Sequence, residues 1–434
     1  MNFFIKTFGC QMNVNDSEKM RYLLEHRGDV WVDDERQADL VIVNSCAVRR
    51  KPQEKIHSFV GQLDKNKHII VAGCVAQIER ENLLKKRAAV TFLVGTHQFS
   101  RIDKIVDEIV AGRGRGSALA FSKQWDELIP DAKARQSRVS GYISIMEGCD
   151  NFCSYCVVPF ARGREKHRPF AAIAAEAEYL SRQGYQELIL LGQNVNSWHD
   201  ATADKKFSDL LAYLAENGSF RWIRFITSFP GIHDPDLVRV MADHRPLARH
   251  IHFPAQSGST RMLTRMKRGY TRRRYLEIIN EFCTPIPEMK FSSDFIVGFP
   301  GETEHDFEQT LSLLKKVGFE SLFSFIYSPR PQTAAARLVD DIPADVKKER
   351  LKELQRLQAE IQLAANRRQI DRTVEVLTVE PHPRKAGEMI GRTESYRVVN
   401  LSSTTPAGRF IRVKITAAGP HSLRGEEIVN VSRP

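Results

Sequence analysis

Between Ile143 and Ser328 six apolar, strand-like runs recur: ISIMEGC, ELILLGQNV, WIRFITS, HIHFPAQ, FSSDFIVGF and LFSFIYS. Most are separated by amphipathic helical segments. A strand, a helix and a second strand in succession bring the strands side by side in parallel, with the helices crossing over one face. Six such units predict a partial or complete α/β barrel, because closing eight units would use more chain than this.

The flanking segments read differently. Ahead of the barrel the chain runs FFIKTFGC, a helix after Asp16, LVIVNSC, a helix through Ile56, IIVAGC, a helix through Leu84, and VTFLVGT. That alternation predicts a doubly wound parallel sheet. Residues 111–137 are rich in Gly, Ser, Ala and charge, with no sustained apolar period, and mark a linker. Past the barrel, Pro343 to Gln369 reads as a helix, followed by the short strands TVEVLTVE, YRVVNL and FIRVKIT of a small β-barrel. The expected division is an α/β chain of three parts, 1–117, 135–366 and 367–434, in keeping with 434 residues being too many for one core. No apolar run approaches the roughly 20 residues of a membrane span. No basic, apolar, small-residue order marks a signal peptide, so the expectation is a cytoplasmic protein without a membrane partner.

Seven cysteines in a reducing compartment are poor disulfide candidates, and the odd number leaves one over in any fully paired scheme. Cys149, Cys153 and Cys156 follow the first barrel strand as C-x3-C-x2-C. A loop leaving the strand can wrap three thiolates around one face of an iron-sulfur cube, leaving one iron open to a chelating substrate that takes an electron into its sulfonium. Zinc prefers C-x2-C pairs and four ligands, and no fourth Cys or His completes such a set here, although His167 lies eleven residues beyond Cys156. Cys10, Cys46 and Cys74 each end a predicted parallel strand, in turns marked by Gly9, Asn44 and Gly73. The carboxyl ends of such strands share one edge of the sheet, so the three can converge on a second cluster despite wide separation in sequence. Cys283, within YLEIINEFC, reads as ordinary core.

These features resemble the radical S-adenosylmethionine superfamily, and the whole chain resembles its methylthiotransferases: three separated N-terminal cysteines, a radical barrel and a C-terminal TRAM module. The segments TFGCQMNVNDSE, EGCDNFCSYCVVPFARGRE, LGQNVNSW, PAQSGSTRMLTRMKRGYTR, SSDFIVGFPGETE and YSPRP are most similar to the branch that modifies prenylated adenosine in tRNA. The residues after Cys10 argue against the alternatives, methylthiolation of a ribosomal-protein aspartate or of threonylcarbamoyladenosine. Phe229 and Gln332 depart from the family, which often has His and Gly there. The resemblance implies a 4Fe-4S cluster on Cys149, Cys153 and Cys156, an auxiliary 4Fe-4S or 3Fe-4S cluster on Cys10, Cys46 and Cys74, and S-adenosylmethionine as cofactor. Two such cofactor molecules are implied, one to methylate a sulfur on the auxiliary cluster and one to yield the 5′-deoxyadenosyl radical. It places the cofactor against Tyr155, Gly192, Gln193, Asn194, Ser228, Gln256, Ser257, Asp294 and Ile296. It names as partners a tRNA anticodon stem-loop and an electron donor such as flavodoxin or ferredoxin, with a monomeric enzyme.

The net charge of +11 favours a polyanionic partner. RMLTRMKRGYTRRR holds seven basic residues and no acid, and residues 367–434 carry twelve Lys or Arg against seven Asp or Glu. RNA contacts are expected at Arg268, Arg272, Arg392 and Arg397, and at Arg162 and Arg164, which follow the cysteine loop and can pair with a carboxylate or a phosphate.

Overall fold

The computed structural model describes residues 1–47, 50–232 and 234–428. At the N-terminal end six parallel strands form one sheet in the order Val30–Trp31, Asn2–Phe8, Leu40–Ser45, His68–Gly73, Phe92–Val94, Gly116–Ala118. Val41, Val43, Ile69 and Val71 bury on one face, and Leu40, Ile42, Ile70 and Ala72 on the other. Burial on both faces is why these strands read as unbroken apolar runs rather than as an alternation.

The helix expected after Asp16 instead spans Gln11–Arg27, with Cys10 at its N-terminal cap position. Its inward face includes Asn13, Asn15, Asp16, Ser17 and Glu18, all buried, so the apolar periodicity that marks a helix is missing there. Those polar groups find partners across the next layer of the molecule. Asn15 accepts from Ser144 Oγ at 2.9 Å, and Glu18 Oε1 accepts from Gln136 N at 3.0 Å. Gln136 belongs to the segment read as a linker. That segment lies in this interface, with the Trp125 ring 5.8 Å from Lys19 Nζ and 5.2 Å from Lys166 Nζ.

The central unit has the six expected strands, all parallel, as two three-stranded sheets. One contains Ser140–Ser144, Glu187–Leu191 and Trp222–Phe225, the other His250–His252, Lys290–Val297 and Ser321–Ile326. A single parallel bridge, Ile223 to Leu247, joins them into an open half-barrel. Ile143, Leu188, Leu190, Ile223 and Phe225 point outward into the helical layer. The opposite, concave face carries Tyr142, Ile189 and Arg224 in register, then His252, Asp294 and Phe323. Strands Ser140–Ser144 and Ser321–Ile326 are the two free edges, so the concavity opens sideways between them.

The last unit is a closed barrel of Thr373–Pro381, Glu388–Arg392, Val398–Ser402, Ser422–Glu427 and Phe410–Ala418. Helix Ala344–Arg367 leads into it and ties both neighbours, Gln358 Nε2 donating to Phe319 O at 2.9 Å and Asn366 Nδ2 to Gly419 O at 2.6 Å. The turn Thr393–Arg397, with Tyr396 at φ +66°, plugs the amino-terminal foot of the half-barrel. Arg224 donates to the carbonyls of Thr393 (3.1 Å) and Glu394, Arg245 donates to Glu394 Oε1 at 2.6 Å, and Ser395 Oγ donates to Glu320 Oε1 at 2.7 Å. The Tyr396 ring lies 4.2 Å from the Arg224 guanidinium and 5.7 Å from the His250 ring.

Among the described residues no helix is long and apolar enough to cross a membrane.

Arg224 also holds Glu187 Oε1 at 2.6 Å, with both side chains almost fully buried. Replacing Arg224 by Met strands that carboxylate, so the expected loss of stability is about 3–5 kcal/mol, measured by urea unfolding. Proteolysis of the freed C-terminal barrel should accelerate in parallel.

Candidate cluster-binding site

The first trio is shaped by the backbone of its loop. Gly148 takes φ +78°, and a Cβ there would stand 2.1 Å from Arg164 O, so only glycine lets the chain leave the strand this tightly. Cys149 N then donates to Gly163 O at 3.2 Å and Cys156 N to Cys153 O at 3.0 Å, folding the loop back on itself. The three thiols are free and interact electrostatically, Cys156 with both others. Burial, the largest influence, pushes Cys149 up to about 11 and Cys156 up to about 12. Without a cation these are neutral thiols, and metal must displace their protons to bind.

The second trio is set by strand register. Phe8, Ser45 and Gly73 are aligned on adjacent strands, and Cys10, Cys46 and Cys74 follow within two residues. Cys46 N donates to Phe8 O at 2.9 Å. Asn44 Nδ2 donates to Asn13 O at 2.8 Å, fixing the turn of Cys10 to the strand end of Cys46. Gly73 has φ +86°, and a Cβ there would meet Ser45 O at 2.7 Å. Cys10 is exposed while Cys46 and Cys74 are buried, and burial raises the Cys74 thiol. Among the described residues no three His, Cys, Asp or Glu groups close around a single metal ion. Cluster ligands each bind a different iron and so stand further apart than the ligands of one ion.

One side chain just past the first trio reaches the second. Arg162 follows the first by six residues, is 3% exposed, and donates to Asp16 Oδ2 at 2.6 Å. It also interacts with the Cys74 and Cys10 thiols and lies 3.8 Å from Glu147. Burial raises Asp16 to about 6 against the pull of Arg162. Glu147 is held below the carboxylate range despite its burial, by Lys166, Arg162 and His97 around it. Sequence reasoning missed this network, because its members come from five separate segments and no local pattern marks them.

The residues expected to hold the cofactor divide into two groups. Asn194 Oδ1, Ser228 Oγ and Asp294 Oδ1 are buried without a hydrogen-bond partner, which native structures rarely tolerate unless a ligand supplies one. Tyr155 and Ile296 pack together with Met262, Phe299 and Tyr327. These five fit a bound cofactor. Gln193 is already engaged, its Oε1 accepting from Gly148 N at 2.6 Å. Ser257 Oγ accepts from Ser259 N at 3.2 Å, Gln256 bridges to Asp294 and Ile296 through its backbone, and Gly192 packs closely on Met146. Gln332 sits at φ +69°, where the family's glycine would be unstrained.

Most of the arginines expected on RNA are turned inward. Arg162 is spent on Asp16, and Arg397 on Glu320. Arg268 donates to Cys153 Sγ at 3.3 Å, and Arg272 to the carbonyls of Gly258 (3.3 Å) and Gln309 (2.5 Å). The basic run has no acid of its own in sequence, but the fold brings Asp306 to Arg261, Glu277 to Arg273 and Glu281 to Arg274. Arg164 stays 73% exposed beside Asp150, and Arg392 is half-buried, 5.9 Å from the Tyr396 ring.

Comparison with known proteins gives three family matches: the uncharacterized protein family UPF0004 over residues 2–95, the radical SAM superfamily over 143–314, and the TRAM domain over 367–428. Curated relatives from Bdellovibrio bacteriovorus and Acidovorax sp., each named tRNA-2-methylthio-N(6)-dimethylallyladenosine synthase, are 43% identical over 98% of this chain, covering 95% and 97% of their own lengths. Among solved structures, the radical S-adenosylmethionine methyltransferase TsrM from Kitasatospora setae, with cobalamin and a 4Fe-4S cluster bound, aligns with a TM-score of 0.59 at 15% identity. It covers 77% of this chain and 76% of its own, a likeness of fold.

Replacing Arg162 by Met leaves Asp16 buried without its hydrogen-bonded cation, while Glu147 keeps Lys166 at 3.4 Å. The expected cost is about 3–5 kcal/mol in the metal-free protein, read from denaturant unfolding, and Asp16→Asn in the same background should recover part of it.

Proposed function

The chain belongs to the radical S-adenosylmethionine methylthiotransferases, alongside the tRNA-2-methylthio-N6-dimethylallyladenosine synthases, and from that premise we propose that it adds a methylthio group to carbon 2 of N6-dimethylallyladenosine next to the anticodon of tRNA. The observation that carries the reading is the pair of cysteine trios, one at the strand ends of the sheet and one in the loop after the first barrel strand, with Arg162, six residues past that loop's last cysteine, set against Asp16 and the Cys10 and Cys74 thiols. On this reading Cys149, Cys153 and Cys156 hold a 4Fe-4S cluster, and Cys10, Cys46 and Cys74 hold an auxiliary cluster of three or four irons. When bound, the clusters and S-adenosylmethionine supply the electron, the radical and the sulfur that replacing an unactivated aromatic hydrogen demands.

The chain's own residues bind and orient. Asn194, Ser228 and Asp294 offer their unpartnered atoms to the polar groups of S-adenosylmethionine, and Tyr155 with Ile296 forms an apolar wall for its adenine. Carboxyl ends of barrel strands are where such groups gather. The half-barrel's apolar outer layer and the plugged foot keep water from the concave face, leaving the lateral gap for the base. Arg164, Arg392 and the basic C-terminal barrel are the contacts proposed for the tRNA anticodon stem-loop. A flavodoxin or ferredoxin is the proposed electron donor to a cytoplasmic, monomeric enzyme.

Two measurements test this. Mass spectrometry of tRNA nucleosides from cells lacking the gene should show the prenylated adenosine without its methylthio group; intact methylthio product ends the tRNA assignment. With purified protein, alanine at Cys10, Cys46 and Cys74 should preserve reductive formation of 5′-deoxyadenosine while abolishing methylthio product. Alanine at Cys149, Cys153 and Cys156 should abolish both.

A further inference from the structure

Arg268 is 5% exposed, and among the described residues no carboxylate pairs with it. Its guanidinium is held by neutral groups: Nη2 donates to Pro254 O at 2.6 Å and Nε to Tyr270 OH at 3.1 Å. The Phe229 ring lies 4.5 Å and the Tyr270 ring 5.3 Å from the guanidinium carbon. Nη1 donates to Cys153 Sγ at 3.3 Å and to Tyr155 OH at 3.4 Å. An arginine buried this deeply needs a negative charge nearby.

The placement is built into the backbone. Ser154 N donates to Met266 O at 3.0 Å and Ser154 Oγ to Arg265 O at 2.9 Å, so the turn carrying Arg268 is stapled to the cysteine loop at the residue after Cys153. Arg268 N donates to Leu263 O at 2.9 Å, closing that turn. The side chain therefore faces the cysteine sulfur as a consequence of the fold.

We propose that Arg268 is a positioning residue that sets the reduction potential of the cluster on Cys149, Cys153 and Cys156, by holding a dry positive charge and an N–H donor against the Cys153 sulfur. This rests on the reading that those three cysteines hold the cluster. An oxidised four-iron core carries two positive charges and its three thiolates three negative ones, so the cluster is singly negative. One electron from a flavodoxin-class donor makes it doubly negative. A fixed cation and a hydrogen bond to sulfur stabilise the more negative state more, and so raise the potential at which the electron is accepted. The surrounding rings and the burial of the guanidinium let that charge act with little screening. Phe229, one of the departures from the family, is part of this dry wall, where a histidine would bring a polar edge.

The test uses the full-length protein with Cys10, Cys46 and Cys74 replaced by alanine, so that one cluster is observed, reconstituted anaerobically and without S-adenosylmethionine. Iron content and an EPR-monitored redox titration are compared for this parent, Arg268→Met and Arg268→Lys. Arg268→Met is expected to lower the reduced-to-oxidised ratio at a given potential at least tenfold, a shift of about 59 mV for one electron. Arg268→Lys, which keeps the charge, should recover most of that shift. An unchanged potential in Arg268→Met at full iron content overturns the proposal. So does loss of iron from both variants with the fold intact by circular dichroism, which would make Arg268 a scaffold of the loop. A parent that binds no iron overturns instead the cluster assignment beneath it.

Discussion

The buried ion pair of Asp16 and Arg162 is the constraint on which the rest of the arrangement depends. The carboxylate belongs to the helix capped by Cys10, and the guanidinium to the short helix Val158–Arg162 that follows the loop carrying Cys149, Cys153 and Cys156. Two nearly inaccessible charges at 2.6 Å are tolerable only in each other's company, because either alone would bear the full penalty of leaving water. The parallel sheet and the half-barrel are therefore joined by a contact that is directional as well as strong. Asn15, Glu18 and Gln136 extend the polar seam, and together these bonds define one relative orientation where an apolar interface could slide.

That seam changes the meaning of the positive charge in this chain. A net +11 with clustered arginines points to a polyanion, and the family supplies one, yet most of the individual arginines suggested by sequence are engaged by the protein's own groups. Arg162 and Arg268 each stand beside a cysteine sulfur, Arg397 holds Glu320, and Arg272 caps carbonyls. On the proposed function the two trios become thiolates when they bind iron, so part of the basic excess would balance those anions.

The strands, their parallel order and the strand-end positions of the cysteines were legible because each is a local matter: an apolar run, a turn glycine, a fixed spacing. Cys10, Cys46 and Cys74 could be placed at one edge from the alternation of strand and helix alone. The start of the first helix was not legible, since Asn15 and Asp16 are polar and find their partners only on residues more than a hundred positions away. The roles of Arg268 and Arg397 escaped for the same reason, and for Arg162 the sequence offers a carboxylate or a phosphate as partner without saying which. A guanidinium's partner is decided by the fold, and a run such as RMKRGYTRRR looks identical whether it faces a phosphate or a buried sulfur.

The plug at the foot of the half-barrel has a consequence for how a long substrate is measured. With Thr393, Glu394, Ser395 and Arg397 all anchored to the barrel wall, the C-terminal module cannot swing on its connecting helix. On the proposed function, a nucleic acid gripped by that module would be presented to the concave face at one set reach, as against a rigid ruler. Which nucleotide arrives at the reactive position then depends on its span from the gripped stem, so lengthening the stem by a base pair displaces the target in a way that no neighbouring sequence can restore.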